Sequence, residues 1–433
     1  MRIAQLFPGS GSRFYCENCA RDDSLTRGLR ARGHEVVLGS LYLPLSADRL
    51  SADGTPDAQA PPPVFYGAVN LYLRHRFPPL RRLPPWTRRL LDAGALLRLA
   101  GSLSGATAAA GLEGLTLSML RGEQGGQSEE LERLLAWLAE VRPEGVHLSN
   151  CLLLGTARRI RRELGVPVAC SLQDEDTWLD DLAPEARDRA WAILRERAAE
   201  VDLFLPVSAW YGRFMAERLG IAPERLKVLP MGIDLDGFPD REPEPGAGPP
   251  VIGFLSHVCQ RMGAGILAEA FLHLAGARPD LQLWFLGGST ANDAGFLSKV
   301  KRRLEQAGLR GRVRFARSFG RGERIRFLSS LTLLSVPAQG SPAFGTFILE
   351  ALAAGVPVVQ PRRGGFTELV NDTGGGLLYE PNTPEALAHA IGALLADPRR
   401  ARELGRTGRQ AVLTRYTTAH MAAGLEAAFE RMT

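Results

Sequence analysis

The sequence lacks any apolar run near the roughly 18 residues that a membrane-spanning helix needs. It opens MRIAQLFPGSGS, a short apolar run that gives way to glycine. A secretory leader needs a longer hydrophobic region and a small-residue cleavage site, so the reading is a cytoplasmic protein. Cysteine is scarce: Cys16, Cys19, Cys151, Cys170 and Cys259 are an odd, scattered set in a long chain. Such a set excludes a disulfide framework. The Cys16–Cys19 pair in FYCENC has no second cysteine pair or nearby histidine to complete four zinc ligands. It therefore reads as a structural or pocket feature, not as a redox or metal centre. Charge of one sign is also scarce. The net charge is +5, and lysine and arginine are not gathered into one stripe, so nucleic acid is not an expected partner.

What is present is the alternation of an α/β protein. The 433 residues suit two domains of about 200 residues each. RIAQLF reads as a buried strand, PGSGS as a glycine loop, DDSLTRGLRARGH as a helix and EVVLGSLYL as the next strand. That order begins a doubly wound domain. GVHLSN, VPVACSL and VDLFLPVS continue it as short apolar strands. Residues 236–250, DGFPDREPEPGAGPP, carry proline, glycine and charge without apolar period and read as a linker. The alternation then restarts at VIGFLS. The expected division is a first domain over 1–235 with an insertion at about 45–128, the linker, a second domain over 251–410, and a last helix over 411–433. Two such domains suggest a cleft between them, with ligands at the carboxyl ends of the strands. Residues 74–98 hold seven arginines and one acid, Asp92, among Leu, Phe and Trp86. A basic amphipathic helix there would offer a peripheral contact to an anionic membrane face. A solvated insertion on the domain rim is the favoured alternative.

One apolar segment, GSPAFGTFILEALAAGVPVV, carries a single carboxylate, Glu350. The spacing predicts a helix from near Phe344 to Gly355. An ionised carboxylate among apolar neighbours is costly without partners. A half-exposed helix would explain it; a carboxylate accepting hydrogen bonds from ligand hydroxyls explains it better, and a ribose diol fits that chemistry. Gly364 and Gly365 precede a short helix, where backbone N–H groups favour anions. Gly9, Ser10, Gly11 and Ser12 form a similar loop after the first strand. Together these features point to a phosphate-bearing ligand.

SPAFGTFILEALAAGVPVVQPRRGGFTELV, followed by TGGGLLYEPNTPEALAHAI, resembles the donor-binding half of glycosyltransferase family 4. VLPMGIDLDGF, LPVSAWYGRFM and LFPGSGS also fall where that family has them. The resemblance implies an α/β protein of the GT-B fold, with two facing Rossmann-like domains and an interdomain cleft. It implies a retaining transferase, and a last helix that crosses back to the first domain. A UDP-, GDP- or ADP-sugar would bind the second domain, and a small-molecule or lipid-linked acceptor the first. It implies no cofactor and no metal. By the resemblance, Glu350 holds the ribose, and Arg261, His257, Phe344, Gly345, Gly364 and Gly365 complete the donor site. Asp174–Glu175–Asp176 looks like a metal-binding DxD motif, which belongs to the other major transferase fold. It is expected as a loop near the acceptor, with Asp174 and Gln173 as catalytic candidates. Three positions depart from the family pattern. Pro342 stands where the family keeps the first of two glutamates, Met262 where it keeps a cation before Gly263, and Gln173 where it often has histidine. These departures raise the alternative of a non-catalytic scaffold that binds a nucleotide or glycan.

Overall fold

In the computed structural model, residues 1–8, 17–41, 63–66, 112–238, 248–316 and 320–432 are described. The loop of Gly9, Ser10, Gly11 and Ser12, Cys16, the basic stretch 74–98 and most of the expected insertion lie outside them, as do residues 239–247 of the linker.

The described chain divides into two compact units, with a break between Pro230 and Met231. The first holds β1 (Arg2–Phe7), α1 (Glu17–Ala31), β2 (Glu35–Ser40), α2 (Glu113–Leu120) and α3 (Ser128–Val141). It continues with β3 (Gly145–Leu148), α4 (Ala157–Leu164), β4 (Val168–Leu172), α5 (Glu175–Asp180), α6 (Pro184–Arg197), β5 (Leu203–Pro206) and α7 (Ala209–Leu219). The second holds β6 (Val251–Leu255), α8 (Ala264–Ala275), β7 (Gln282–Leu286), α9 (Ala294–Gln306), β8 (Val313–Ala316) and α10 (Arg321–Ser329). Then follow β9 (Leu333–Leu334), α11 (Thr346–Ala353), β10 (Val358–Pro361), α12 (Gly364–Thr373), β11 (Gly376–Tyr379), α13 (Pro384–Ala396) and α14 (Pro398–Arg415). The last helix, α15 (Thr418–Glu430), belongs to the first unit.

Each unit is built on one parallel sheet, in the orders β2-β1-β3-β4-β5 and β11-β10-β9-β6-β7-β8. Helices cover parallel sheets on both faces, so their strands read as continuous apolar runs. GVHL and VIGFL are buried at every position. In the second sheet the chain steps from β6 outward to β7 and β8, then returns to the other side of β6 with β9. The crevice at such a reversal is where open α/β sheets bind ligands. The corresponding reversal in the first sheet lies between β1 and β3.

Two pieces of the expected insertion are ordered parts of the first unit. Residues 63–66 extend its sheet, with Ser40 N–H donating to Pro63 O at 3.0 Å and Phe65 N–H to Ser40 O at 3.1 Å. Helix α2 packs on α6. Asp174–Asp176 is not the expected loop: Asp174 adopts φ 66° at the N-terminal boundary of α5, without a side-chain capping bond, and Glu175 and Asp176 are in the helix. Helix α11 begins at Thr346, two residues after Phe344, because Gly345 is extended at φ 178°. No described helix is long and apolar enough to cross a membrane.

Helix α15 closes the core of the first unit. Met421, Leu425 and Phe429 pack with Ile3, Leu25, Leu29, Val36 and Leu229. Close approach needs glycine at the contact points: a Cβ on Gly145 would lie 2.5 Å from the Phe429 ring. Phe429→Ala should cost about 3–5 kcal/mol of stability, because a large ring is lost from a packed core. Urea unfolding measures it, and a cost below about 1 kcal/mol would show that α15 is not part of this core.

Candidate functional site

In the second unit the candidate residues come from loops at the carboxyl ends of β6, β9 and β10. Backbone hydrogen bonds tie these loops together. Gln339 N–H donates to Arg261 O at 2.9 Å, and from the loop after β11 the Asn382 side-chain Nδ2 donates to Ala338 O at 2.9 Å. Gly263 sits at φ +80°, where a Cβ would lie 1.9 Å from Pro337 O. The loop after β6 is therefore pressed onto the loop after β9, across the sheet's reversal point.

Every residue of α11 is buried, Glu350 included. Its Oε1 accepts from Arg324 Nη2 at 2.9 Å and Nε at 3.1 Å, a charge-assisted pair that offsets the desolvation of both ions. Glu350 is thus neither a surface glutamate nor a carboxylate that waits for a ligand alone. Nothing in the sequence singled out Arg324, which lies 26 positions away on a helix with two other arginines.

The glycines after β10 correct an expectation. Gly365 N–H donates to Pro342 O at 2.7 Å, so this N–H is not available to an anion. A Cβ on Gly365 would lie 2.2 Å from Ala343 O, and one on Gly364, at φ +49°, 2.5 Å from Pro342 O. Both glycines serve close backbone packing of segment 341–344 on the first turn of α12. Phe344 is buried in the same segment. Pro342, which has no donor side chain to offer a ligand, supplies a carbonyl that caps this turn.

After β6, His257 Nε2 lies 2.8 Å from Asp293 Oδ2. Burial opposes the charge of His257, but contacts with Cys259 and Asp293 outweigh it and hold the imidazole above its ordinary pKa. Arg261 is exposed. Met262, beside it, is half-buried.

The first unit holds a buried polar network at the ends of β3 and β4. Gln173 Nε2 donates to Ser149 O at 2.6 Å, which turns its amide into the protein. Asp174 is exposed and accepts from Thr177 Oγ1 at 2.9 Å. The sequence candidates therefore point different ways, Gln173 inward and Asp174 outward. Glu175, not singled out from sequence, is the hub. It accepts from Gln173 N–H at 2.7 Å and Cys151 N–H at 3.0 Å, and the Tyr211 hydroxyl lies 2.9 Å away. Burial pushes its carboxyl up to about 7 despite those donors. On the neighbouring strand, Ser171 Oγ lies 2.8 Å from His147 Nε2 and accepts from the buried Arg21 Nη2 at 2.7 Å. Burial, helped by the Arg21 charge, pushes His147 down to about 3.

These two groups give opposite pH dependences. Glu175 holds its proton more tightly folded than unfolded, so its contribution to stability falls as pH rises from about 4.5 through about 7. His147 holds its proton more weakly folded than unfolded, so stability is lost as pH drops from about 6.5 toward about 3. In His147→Gln the second loss disappears. The stability difference between wild type and variant should therefore shrink, by about 1.4 kcal/mol per pH unit, as pH falls below 6.5. Unfolding curves between pH 7 and 4 measure it; a constant difference would contradict a neutral buried imidazole.

Two family models match the chain. "Glycosyl transferase 4-like domain" matches residues 23–232, and "Glycosyl transferases group 1" matches residues 240–411. The chain is 30% identical over 265 residues to alpha-maltose-1-phosphate synthase of Mycolicibacterium smegmatis, covering 57% of this chain and 64% of the relative. It is 31% identical over 241 residues to the GDP-mannose-dependent alpha-(1-6)-phosphatidylinositol monomannoside mannosyltransferase of the same organism, covering 52% and 62%. The chain thus spans less than two thirds of these relatives. Sucrose-phosphate synthase from Thermosynechococcus elongatus superposes with a TM-score of 0.70 at 18% identity, covering 100% of this chain and 99% of that one. Anabaena HepE, in complex with UDP, superposes at 0.68 with 15% identity and full coverage of both chains. With a family match on each side of the linker and this fold throughout, the chain belongs to the family 4-type glycosyltransferases and has the GT-B fold.

Proposed function

We propose that the protein is a retaining glycosyltransferase that moves a sugar from a nucleoside diphosphate to a small-molecule or lipid-linked hydroxyl acceptor. In this reading the second unit holds the donor. The observation that carries it is the cross-tied set of loops at the sheet reversal, with the buried Glu350 on the helix that follows the β9 loop. Glu350, its orientation set by Arg324, accepts from the ribose hydroxyls. Arg261, after β6, faces the diphosphate. Arg261 is exposed and long enough to grip phosphate bidentately. The bond from the anomeric carbon to the diphosphate oxygen breaks as the acceptor oxygen bonds to the same face of that carbon. The acceptor's proton passes to the departing diphosphate, which acts as the local base. Cationic groups placed where that negative charge develops supply a large share of such rate enhancements.

The first unit, in the same reading, takes the acceptor. The names of the relatives, a sugar-phosphate synthase and a phosphatidylinositol-mannoside transferase, support both a soluble and a lipid-linked hydroxyl as candidates. The scaffold alternative is not favoured. The family matches run through all three departing positions, Gln173, Met262 and Pro342.

A thermal-shift screen against UDP-, GDP- and ADP-sugars tests the donor. A ligand that binds the folded chain at 100 times its dissociation constant stabilises it by about 2.7 kcal/mol. One nucleotide family should therefore raise the melting temperature by several degrees, with transfer or slow hydrolysis of that sugar in the same sample. A chain that binds none of them is not a nucleotide-sugar transferase.

A further inference from the structure

We propose that His257, Cys259 and Asp293 form a binding site for a zinc-like divalent ion. One ligand atom from each, an imidazole nitrogen, a thiol sulfur and a carboxylate oxygen, lies within 4.8 Å of the other two. Nitrogen, sulfur and oxygen donors together suit a borderline-soft ion, and three protein ligands leave a fourth tetrahedral position open. Zinc bonds of about 2.0–2.3 Å need donors roughly 3–4 Å apart, so the ion would part the His257 Nε2–Asp293 Oδ2 hydrogen bond, now 2.8 Å, and take its place.

The backbone holds these residues ready. His257 and Cys259 share a tight turn, Cys259 N–H donating to His257 O at 2.9 Å. The turn is fastened to the next strand's loop by Val258 N–H to Gly288 O at 2.8 Å, and Ser256 N–H reaches Leu286 O at 3.2 Å. Asp293 comes from that second loop and is oriented by Thr290, whose N–H and hydroxyl donate to Oδ2 at 2.7 and 2.6 Å. A ligating carboxylate held by hydrogen bonds in this way is the usual supporting arrangement of a metal site. Cys259 is buried, whereas His257 and Asp293 are only partly so, which leaves a side from which an ion can enter. As the ion binds, the sulfur–metal bond replaces the sulfur–hydrogen bond and the thiol proton passes to the buffer. The open fourth position takes water.

The test needs no nucleotide and no turnover, so it is independent of the transferase reading. The full chain is stripped with a chelator, then titrated with zinc against a chromophoric competitor and, separately, with cobalt(II). We expect one zinc per chain and a thiolate-to-cobalt charge-transfer band. Cys16→Ser/Cys19→Ser should keep both, which separates this cluster from the other cysteine pair. Cys259→Ser should lose the band, and His257→Ala should weaken zinc binding at least tenfold, each with the metal-free melting temperature checked for folding. The proposal is overturned if the wild type takes up no zinc at micromolar concentration. It is equally overturned if the band survives Cys259→Ser or disappears in Cys16→Ser/Cys19→Ser.

Discussion

The buried pairing of Glu350 with Arg324 is the constraint on which the second unit's site depends. Helix α11 is buried along its whole length, so its one carboxylate is only 5% exposed. Removing either partner would leave an uncompensated charge in the interior, which costs about 3–5 kcal/mol. The pair therefore pins α10 to α11. With α11 fixed, the segment before it is fixed too, because its backbone is seated on the glycines of α12. A carboxylate whose rotamer is set by a bidentate guanidinium is pre-organised, and pre-organisation is what lets a polar group recognise a ligand without first paying for its own ordering.

The two units solve the same problem differently. In the second, the loops at the sheet reversal are tied to one another by backbone hydrogen bonds, while Arg261 stays exposed. In the first, the polar groups at the strand ends are sunk into the interior. Glu175 gathers two backbone N–H groups and a tyrosine hydroxyl, and Gln173 is turned toward Ser149. Such a network rigidifies the strand ends, since an unpaired member would cost about 1–3 kcal/mol. It makes Glu175 a structural hub and leaves Asp174 exposed.

The succession of strands and the two-domain α/β plan were legible because parallel strands buried on both faces leave unbroken apolar runs, as in VIGFL and GVHL; the order of the strands within each sheet was not. The burial of Glu350 was legible from its neighbours on the helix, but its partner was not. Arg321, Arg324 and Arg326 share one helix, and only the packing of α10 on α11 selects the middle one. Gly365 misled for a similar reason. Absence of a Cβ permits both an anion cradle and close backbone contact, and only the position of the Pro342 carbonyl decides between them. Asp293 reaches His257 from a loop 36 residues on, a separation that carries no local signal. Asp174–Glu175–Asp176 was expected as a loop because its DxD pattern belongs to another transferase fold; Asp174 instead stands, with left-handed φ, at the start of a helix.

The central claim is that Glu350 reads the ribose of a nucleotide donor. Calorimetric binding of the preferred nucleoside diphosphate and of its 2′,3′-dideoxy analogue, to wild type and to Glu350→Gln, tests it most directly. Hydrogen bonds to a charged group are worth about 1.5–3 kcal/mol, so the wild type should bind the dideoxy form at least tenfold more weakly. Glu350→Gln should show a smaller difference between the two nucleotides, because its amide oxygen accepts from the hydroxyls only as a neutral group. Equal affinity of the wild type for the two nucleotides would contradict the account.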